Sequence, residues 1–572
     1  AVLLTLALAI GLFAAAYGST WLRSQEDRAA YEAGADARVV PDERTGSIQP
    51  LHLASAYAEV DGIESVLPVV ERPLDVPGAD EPVNVRAVDV SEVARLVRPR
   101  SDLTDRPLAE LVEPLAAARP RLASVPLPRD VRRLSLTASL TMQRLPTDPP
   151  GVPVRFLVGD LHTLALVVQD ADGLLYRVIA GDLPADRSVG RLQVDLTEGG
   201  PEGRGPARPL TLVALELRVN AGLGQTREGT LELGSLLADG TPVDAGEEAT
   251  WTVSHDEIPN ASFPPEVRGV RSAEDALFLL DFATGARAGA CPPFCSSLPV
   301  TFTATPGPNE PPETIRAIVT DRFLEDTGAA VGDSVVLGPE GPSLTVTGAV
   351  HDFPTLPPEA GGAVVDLRTY LAVLYLREGE AAAPSSWLVD TAPGRERAVA
   401  QALRAPPFSS AEVADRAGIV DRLTRDPVAL GISGALSLGF VAAAVFAVVG
   451  FAVSAAVSTA ERTTEFAVLR SLGLSDRQLS AWLALEGGIT AAFALAAGIV
   501  LGALVAWLVL PYVSLAGEGG RPFPEVVVQL PWQAVAVLTG SLLTALAIVL
   551  AAQILLLRRL ALGPALRAGE SR

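Results

Sequence analysis

Lysine is absent from this sequence of 572 residues, and all 45 basic residues are arginine. The Walker A loop of many ATPases needs a lysine on the nucleotide phosphates, so these residues do not contain an ATPase of that type. The same absence excludes lysine Schiff-base chemistry and serine–lysine catalysis. If the protein is driven by ATP, we expect the hydrolysis to take place in another chain.

Residues that commonly carry catalysis are also scarce. The sequence has four histidines and contains no HExxH, no GxSxG and no glycine-rich phosphate loop. His255 and His351 each precede an aspartate, but neighbouring residues of a strand point to opposite faces. The segment 170–173 resembles the start of a calcium loop, yet its Asp-Gly pair predicts a hairpin turn and the distal glutamate is missing. We expect no enzyme activity, no metal site and no cofactor.

The sequence has two cysteines, Cys291 and Cys295, separated by Pro-Pro-Phe. Two thiolates alone do not complete a tetrahedral zinc site. If this region is extracytoplasmic, we expect a disulfide between them, because an oxidising compartment preserves such a bond. A reduced or redox-active pair is the alternative.

Charged residues are absent from three long apolar stretches, residues 1–21, 428–458 and 532–557. A fourth stretch, residues 481–512, contains one charge, Glu486. Because about 20 apolar residues span a bilayer, the four stretches predict four transmembrane helices. The first stretch begins without a methionine or a basic segment. We therefore expect a membrane helix whose beginning has been cut off, in a protein that continues further at its N-terminus. A signal peptide is the alternative.

The formal net charge of the whole chain is −22, and the excess of acidic residues lies in the region between the first and second apolar stretches. Arginines are found instead at the opposite ends of the later helices. The positive-inside rule then predicts a multi-pass plasma-membrane protein with a large extracytoplasmic domain, a cytoplasmic loop 459–480 and a cytoplasmic C-terminus. An acidic domain repels nucleic acid, so no nucleic-acid partner is expected.

A short polar break, residues 458–479, separates the second and third apolar stretches. Its apolar residues recur at helical spacing, while its charged residues stay available to water. Gly473 predicts the end of this helix. Ser475 and Gln478 predict a capping box that starts the next helix. The pattern indicates a helix, an elbow and a helix at a membrane surface, and an ordinary connecting loop is the alternative.

The segment from Glu465 to Ser475, followed by Leu485-Glu486-Gly487, resembles a motif of FtsX-like permeases, the membrane subunits of MacB/LolCDE-type ABC transporters. In that family this segment is the cytoplasmic coupling element that rests on the ATPase. The resemblance implies an ABC ATPase partner and a second permease unit, which is either a second copy or the missing N-terminal part. It implies these coupling residues: Glu461, Arg462, Glu465, Phe466, Leu469, Arg470, Leu472 and Gly473.

The expected architecture is a membrane protein with four transmembrane α-helices and a large α+β extracytoplasmic domain that contains an inserted β-sandwich. Many short strands at regular spacing in 125–260 predict the sandwich, which resembles a galactose-binding-like jelly roll. The flanking parts resemble the core domain of MacB-type permeases. The expected boundaries are 1–21 for the first helix, 22–124 and 261–427 for the two halves of the core, 125–260 for the sandwich and 428–572 for the permease domain.

Two local predictions concern the core, and two concern the membrane segments. We predict a helix over 92–96 that is capped by Ser91, and a helix that begins near Ala317. Gly498 and Gly502 form a GxxxG pattern, which is typical of close helix contact, although chance in a glycine-rich helix also explains it. Glu486 is expected to pair with an arginine near the elbow or to extend toward the interface; a buried intramembrane switch is the alternative.

These observations favour a transporter permease subunit that couples ATP hydrolysis by a separate ATPase to extracytoplasmic motion or export. Two other functions stay open. The protein could be a membrane-tethered carbohydrate-binding protein that recognises a glycan or another extracytoplasmic partner through its sandwich. It could also be a regulator of cell-wall hydrolases that transports nothing.

Overall fold

The computed structural model describes most of the chain in fourteen stretches. They are residues 2–42, 48–97, 99–143, 162–200, 205–220, 222–223, 226–244, 251–258, 261–273, 276–287, 299–338, 341–461, 475–511 and 523–560. The chain divides into two compact units. The membrane unit comprises 1–29 and 417–572, and the sheet unit comprises 30–416.

The helices of the described residues are numbered in chain order. They are α1 (Val2–Ala33), α2 (Pro50–Ala58), α3 (Val90–Leu96), α4 (Leu108–Ala116), α5 (Asp321–Thr327), α6 (Leu367–Glu378), α7 (Glu396–Arg404), α8 (Arg416–Thr424), α9 (Pro427–Glu461), α10 (Asp476–Val509) and α11 (Trp532–Leu560).

The strands fall into two groups. The strands of a central sheet are β1 (Ala37–Val40), β2 (Ile63–Leu74), β3 (Val83–Val88), β20 (Thr314–Thr320), β21 (Ser334–Val336), β22 (Ser343–Val350), β23 (Gly362–Asp366), β24 (Ser386–Thr391) and β25 (Glu412–Asp415). The strands between them are β4 (Val125–Pro126), β5 (Arg133–Met142), β6 (His162–Gln169), β7 (Leu175–Leu183), β8 (Gly190–Asp195), β9 (Thr211–Asn220), β10 (Gly222–Leu223), β11 (Glu228–Gly234), β12 (Leu237–Ala238), β13 (Thr241–Pro242), β14 (Thr252–His255), β15 (Ala261–Phe263), β16 (Glu266–Ala273), β17 (Ala276–Ala283), β18 (Ala286–Arg287) and β19 (Pro299–Thr305).

The central sheet joins strands from both ends of the sheet unit. Its order is β21-β22-β20-β23-β3-β2-β24-β1-β25, so the first three strands of the chain lie among strands that follow residue 314. The pairs β20–β22 and β23–β3 are parallel, and the others are antiparallel. Helices α3 and α4 contribute buried Val93 and Leu111 to a hydrophobic cluster that includes Ile318 of this sheet.

Two local predictions for this sheet were wrong. The N-cap of α3 is Asp89 rather than Ser91, because the Asp89 carboxylate accepts hydrogen bonds from both the backbone N–H and the hydroxyl of Ser91. The stretch from Ala317 continues β20 up to Thr320, and the helix begins only at Asp321. Branched side chains at 318–320 favour the strand, which pairs on both sides with β22 and β23.

The strands from 125 to 305 form two larger sheets and one small one. The larger sheets run β13-β12-β5-β11-β17-β16, with β8 beside β5, and β14-β19-β9-β6-β7, with β4 beside β9. The rings of Phe282 in the first sheet and Phe302 in the second lie 4.7 Å apart, so the two sheets share a core. These strands continue past residue 260, the expected end of the insert, because β17 pairs with β11 and β19 with β9. We call residues 125–305 the inserted region.

The Asp-Gly pair at 172–173 makes the hairpin turn between β6 and β7, as predicted. Gly173 adopts a φ of +88°, which favours glycine at this position. The Asp170 carboxylate accepts hydrogen bonds from the N–H groups of Asp172 and Leu174 and from the Tyr176 hydroxyl. Burial raises the pKa of Asp170 to about 7. The carboxylate is thus engaged by its own loop.

Helix α6 connects the inserted region to the central sheet. Eight of its residues are buried, so apolar contacts surround it on most sides. At its start, the Arg368 guanidinium donates to the Ala171 carbonyl oxygen at 2.7 Å. Near its end, the Tyr375 hydroxyl donates to the Glu216 carboxylate at 3.0 Å. Just past the helix, Arg177 donates to the Gly379 carbonyl oxygen at 2.6 Å.

The membrane unit consists mainly of four apolar helices. Within the described residues, four helices are long and apolar enough to cross a membrane, namely Val2–Ala33, Pro427–Ser458, Ala484–Val509 and Trp532–Leu555. Side chains from these four helices form one buried cluster that includes Leu8, Ala447, Leu495 and Leu546. These helices and the large sheet-rich region are those of a membrane protein.

Candidate functional site

The polar break lies between two helix ends that the structure describes. Helix α9 ends at Glu461, whose side chain is exposed. Helix α10 begins at Asp476 after a complete capping box, in which Ser475 accepts from the Gln478 N–H and Gln478 accepts from the Ser475 N–H at 3.0 Å. The predicted capping box is therefore confirmed. The other predicted coupling residues lie outside the described residues: Arg462, Glu465, Phe466, Leu469, Arg470, Leu472 and Gly473.

The two glycines of the GxxxG pattern face helix α1. A Cβ atom placed on Gly498 would lie 2.9 Å from the Thr5 carbonyl oxygen, and one on Gly502 would lie 3.0 Å from the Ala9 carbonyl oxygen. A side chain at either position would therefore push the two helices apart. The Thr5 hydroxyl also donates to the Ala494 carbonyl oxygen at 3.1 Å, one turn earlier on α10.

Contacts at the other end of the bundle fix α1 to the segment that precedes α11. The Ser19 hydroxyl donates to the Gln529 carbonyl oxygen at 3.1 Å, and the Gln529 N–H donates to the Thr20 hydroxyl at 3.0 Å. Buried Tyr17 and Trp21 form part of an apolar cluster nearby. Polar contacts near its start and near its middle thus hold α1 within the membrane unit.

Glu486 lies on α10, ten residues after the first residue of the helix. The hydroxyl of Thr490, one turn later, donates to the Glu486 backbone carbonyl oxygen at 2.9 Å. The Glu486 side chain lines a cavity among the four helices, together with residues of α1, α9 and α11. Of the predicted site residues that the structure describes, Glu461 lies at the end of α9, and Glu486, Gly498 and Gly502 lie along α10.

The strands that lead to the membrane helices are neighbours in the central sheet. Helix α1 runs into β1, and β25 runs into α8, with α9 directly after it. The strands β1 and β25 pair antiparallel, with Ala37 opposite Asp415. Nothing in the sequence indicated that β1 would pair with β25, the last strand of the sheet unit.

Polar contacts secure both of these strands. The Asp36 carboxylate accepts from the N–H and the hydroxyl of Thr391 at 3.0 and 3.1 Å. The Arg404 guanidinium on α7 donates to the Asp415 carboxylate at 2.6 Å. We call Asp36, Thr391, Arg404 and Asp415 the strand clamp.

Two further features concern titratable groups. Cys291 and Cys295 lie outside the described residues. His351 contacts the carboxylate of Asp321 at 2.6 Å, and this contact raises the pKa of His351. Within the described ranges, no three His, Cys, Asp or Glu side chains lie close enough to hold a metal ion.

Comparison with known proteins identifies the last part of the chain. Residues 437–561 match the family model described as FtsX-like permease C-terminal. The match begins inside α9, includes the polar break and α10, and ends just past α11. A search of the curated proteins found no match to this chain. The chain thus contains an FtsX-like permease C-terminal domain at 437–561, the part with three of the four apolar helices and the polar break.

Proposed function

We propose that this protein is the permease subunit of an ABC transporter of the FtsX/MacB type. The match over 437–561, with its polar break between two long apolar helices, is the observation that carries the proposal. These 572 residues contain no lysine and therefore no Walker A loop, and the proposal assigns ATP hydrolysis to a separate ATPase dimer. The break 459–480 contacts that ATPase in the cytoplasm.

In this proposal, motion passes from the ATPase to the sheet unit by mechanotransmission. The coupling residues transfer the ATPase movement to α9 and α10. Helices α1 and α9 are covalently continuous with the neighbouring strands β1 and β25, the latter through α8. A relative shift of α1 and α9 therefore reaches a single strand pair that the strand clamp secures. The result is a conformational change or export on the other side of the membrane.

The sidedness of the sheet unit belongs to the same proposal. Its negative charge and the arginines at the opposite helix ends support an extracytoplasmic position at the plasma membrane. A disulfide between Cys291 and Cys295 would form on that side. A second permease unit, either another copy or a preceding part of the same protein, completes the transporter.

Co-purification with an ATPase and turnover in a reconstituted complex test the proposal. We expect Glu465→Arg and Leu472→Asp to reduce the ATP turnover of the complex, because both change the surface that contacts the ATPase. Glu525→Arg, which changes a charge between α10 and α11, serves as the control. The coupling role is wrong if no ATPase co-purifies and both variants match the control.

The inserted region could add recognition of an extracytoplasmic partner to this function. Its two antiparallel sheets with a shared core support a sandwich of the jelly-roll kind. A glycan array on the full chain in detergent tests a role in sugar binding. Strong sugar binding without any ATPase partner would favour the membrane-tethered binding protein over the permease. If neither sugar binding nor an ATPase partner is found, the regulator of cell-wall hydrolases is favoured.

A further inference from the structure

The loop between β22 and β23, residues 351–361, contains one residue in a conformation that its side chain disfavours. Thr355 has a φ of +71°. Glycine adopts this left-handed region freely, whereas a residue that is branched at Cβ is strained there. Such a residue persists where the surrounding contacts hold it in place. The contacts around Thr355 therefore indicate which element the loop holds.

On one side, the loop holds the last turn of α1, whose residues 30–33 belong to the sheet unit. The Thr355 N–H donates to the Tyr31 carbonyl oxygen at 2.9 Å, and the Tyr31 hydroxyl donates to the Leu356 carbonyl oxygen at 2.7 Å. A Cβ atom on Gly34, the residue after the helix, would lie 2.6 Å from Thr355 Cγ2. The end of α1 thus fits closely against the loop.

On its other side, the loop is fixed to the middle of the central sheet. The Arg86 guanidinium on β3 donates to the Pro354 carbonyl oxygen at 2.9 Å and to the Thr355 carbonyl oxygen at 3.0 Å. Arg86 is 2% exposed, and its charge is paired with Glu71 of β2 at 2.7 Å. Strand β3 is the fifth of the nine strands, whereas β1, which follows α1 in the chain, is the eighth. The loop therefore connects the end of α1 to the centre of the sheet.

Two effects oppose each other at this loop. The four hydrogen bonds to Tyr31 and Arg86 stabilise the contact, and Phe353 and Leu356 are buried in an apolar cluster. The left-handed conformation of Thr355 destabilises it by an amount similar to the net contribution of one such bond. The contact should therefore open at a lower free energy than the strands β22 and β23 that flank it.

We propose that residues 353–356, together with Tyr31 and Arg86, form a strained latch that closes on the last turn of α1 and opens without unfolding of the central sheet. We call this group the α1 latch. In the closed state it adds a second connection between α1 and the sheet, besides the covalent one through β1. In the open state Thr355 returns to an unstrained backbone conformation. The use of the latch by the permease rests on the proposed function, in which movement of α1 opens it.

Hydrogen exchange of the full chain in detergent tests the α1 latch without any ATPase. We expect residues 30–34 and 353–357 to exchange together and faster than β22 and β23, after correction for intrinsic rates. Thr355→Asn should slow this exchange about tenfold, because asparagine tolerates the left-handed region. Thr355→Val is the matched control and should not slow it, because valine is also branched at Cβ. Tyr31→Phe, which removes the bond to Leu356, should accelerate it about fivefold.

Two results would overturn the α1 latch. The first is exchange of 30–34 and 353–357 only together with β22 and β23, and the second is equal exchange in Thr355→Asn and the unmodified chain. Neither result depends on an ATPase, so failure of the latch is distinguishable from failure of the proposed function. In the reconstituted complex, Thr355→Asn should also reduce the ATP response of a fluorescent reporter on the sheet unit. An undiminished response would overturn the use of the latch by the permease.

Discussion

The hydroxyl of Tyr375 donates a hydrogen bond to the buried carboxylate of Glu216, and the two residues lie on different sides of the junction between the central sheet and the inserted region. Arg177 donates to the same carboxylate at 2.5 and 3.1 Å and also reaches the Gly379 carbonyl oxygen. Because a buried carboxylate needs these partners, we expect the junction to be specific and rigid. The inserted region and the central sheet should therefore move as one body.

Tyr375→Phe tests this rigidity. It removes a hydrogen bond to a charged, buried group, and we expect a loss of about 1.5–3 kcal/mol in the stability of the junction. Hydrogen exchange should rise in β9 and β7 and in the residues that follow α6. Tyr370→Phe is the matched control, because it removes a hydroxyl from the same helix near Arg72 of the central sheet. Equal exchange in both variants would contradict the role of the Tyr375–Glu216 bond.

Gly498→Val and Gly502→Val should separate α1 from α10. The new side chains would overlap with the backbone carbonyl oxygens of Thr5 and Ala9. We expect a lower temperature of aggregation in detergent and loss of a cross-link between cysteines introduced at 5 and 494. Gly488→Val on the same helix is the control, since no described atom lies within 4 Å of a Cβ at that position. If all three variants behave alike, the effect comes from helix propensity and not from packing.

The contact between α2 and the inserted region should weaken in acid. His52 is fully buried, and its Nε2 donates to the Glu198 carbonyl oxygen at 3.0 Å. Burial lowers the pKa of His52 below its ordinary value of 6.5. The unfolded state therefore takes up a proton first as the pH falls below 6.5, and the stability of the contact is lost progressively toward the lower pKa of the native state.

Hydrogen exchange of 50–58 and 196–200 between pH 7.5 and 5 measures this effect. We expect exchange to rise in acid beyond its intrinsic pH dependence, and His52→Gln should remove that rise because the glutamine amide can donate without titrating. His255→Gln, a change in β14, is the control and should keep the wild-type profile. A profile that His52→Gln leaves unchanged would assign the pH dependence to another group.

Asp36→Ala should separate ATP hydrolysis from movement of the sheet unit. It removes the acceptor that fixes β1 to Thr391 and leaves the sequence of the break 459–480 unchanged. We expect ATP turnover of the reconstituted complex to stay near its original rate, while a fluorescent reporter on the sheet unit responds less to ATP. Asp61→Ala removes an exposed ion pair with Arg395 and is the control. A full reporter response in Asp36→Ala would exclude the strand clamp from the pathway.

Features that depend on nearby residues were predicted well. Ser475 and Gln478 form a capping box because their spacing of three suffices for the reciprocal bonds. The Asp-Gly turn before β7 is equally local. The α3 cap was assigned to Ser91 because serine is a good cap, but Asp89 competes better for the same N–H. When two residues that both make good N-caps lie two positions apart, their spacing does not show which of them caps the helix.

Features that depend on distant residues could not be predicted. Glu216 looks like any charged residue of an alternating strand, and its burial results from contacts with Arg177 and with Tyr375, which lies 159 residues later. Similarly, Ser454 and Gln553 line the same cavity only because α9 and α11 pack side by side. Hydropathy identifies the helices but does not determine which faces meet.

The pairing of Ala37 with Asp415 has a consequence for how such a protein can arise. When the first and last strands of a domain are neighbours, the two points at which the domain joins the rest of the chain lie close together. Nearly four hundred residues could therefore be gained, lost or exchanged as one cassette between two membrane helices without changing the spacing of those helices. Transplanting this cassette onto another helix pair would require only that the two helices end side by side.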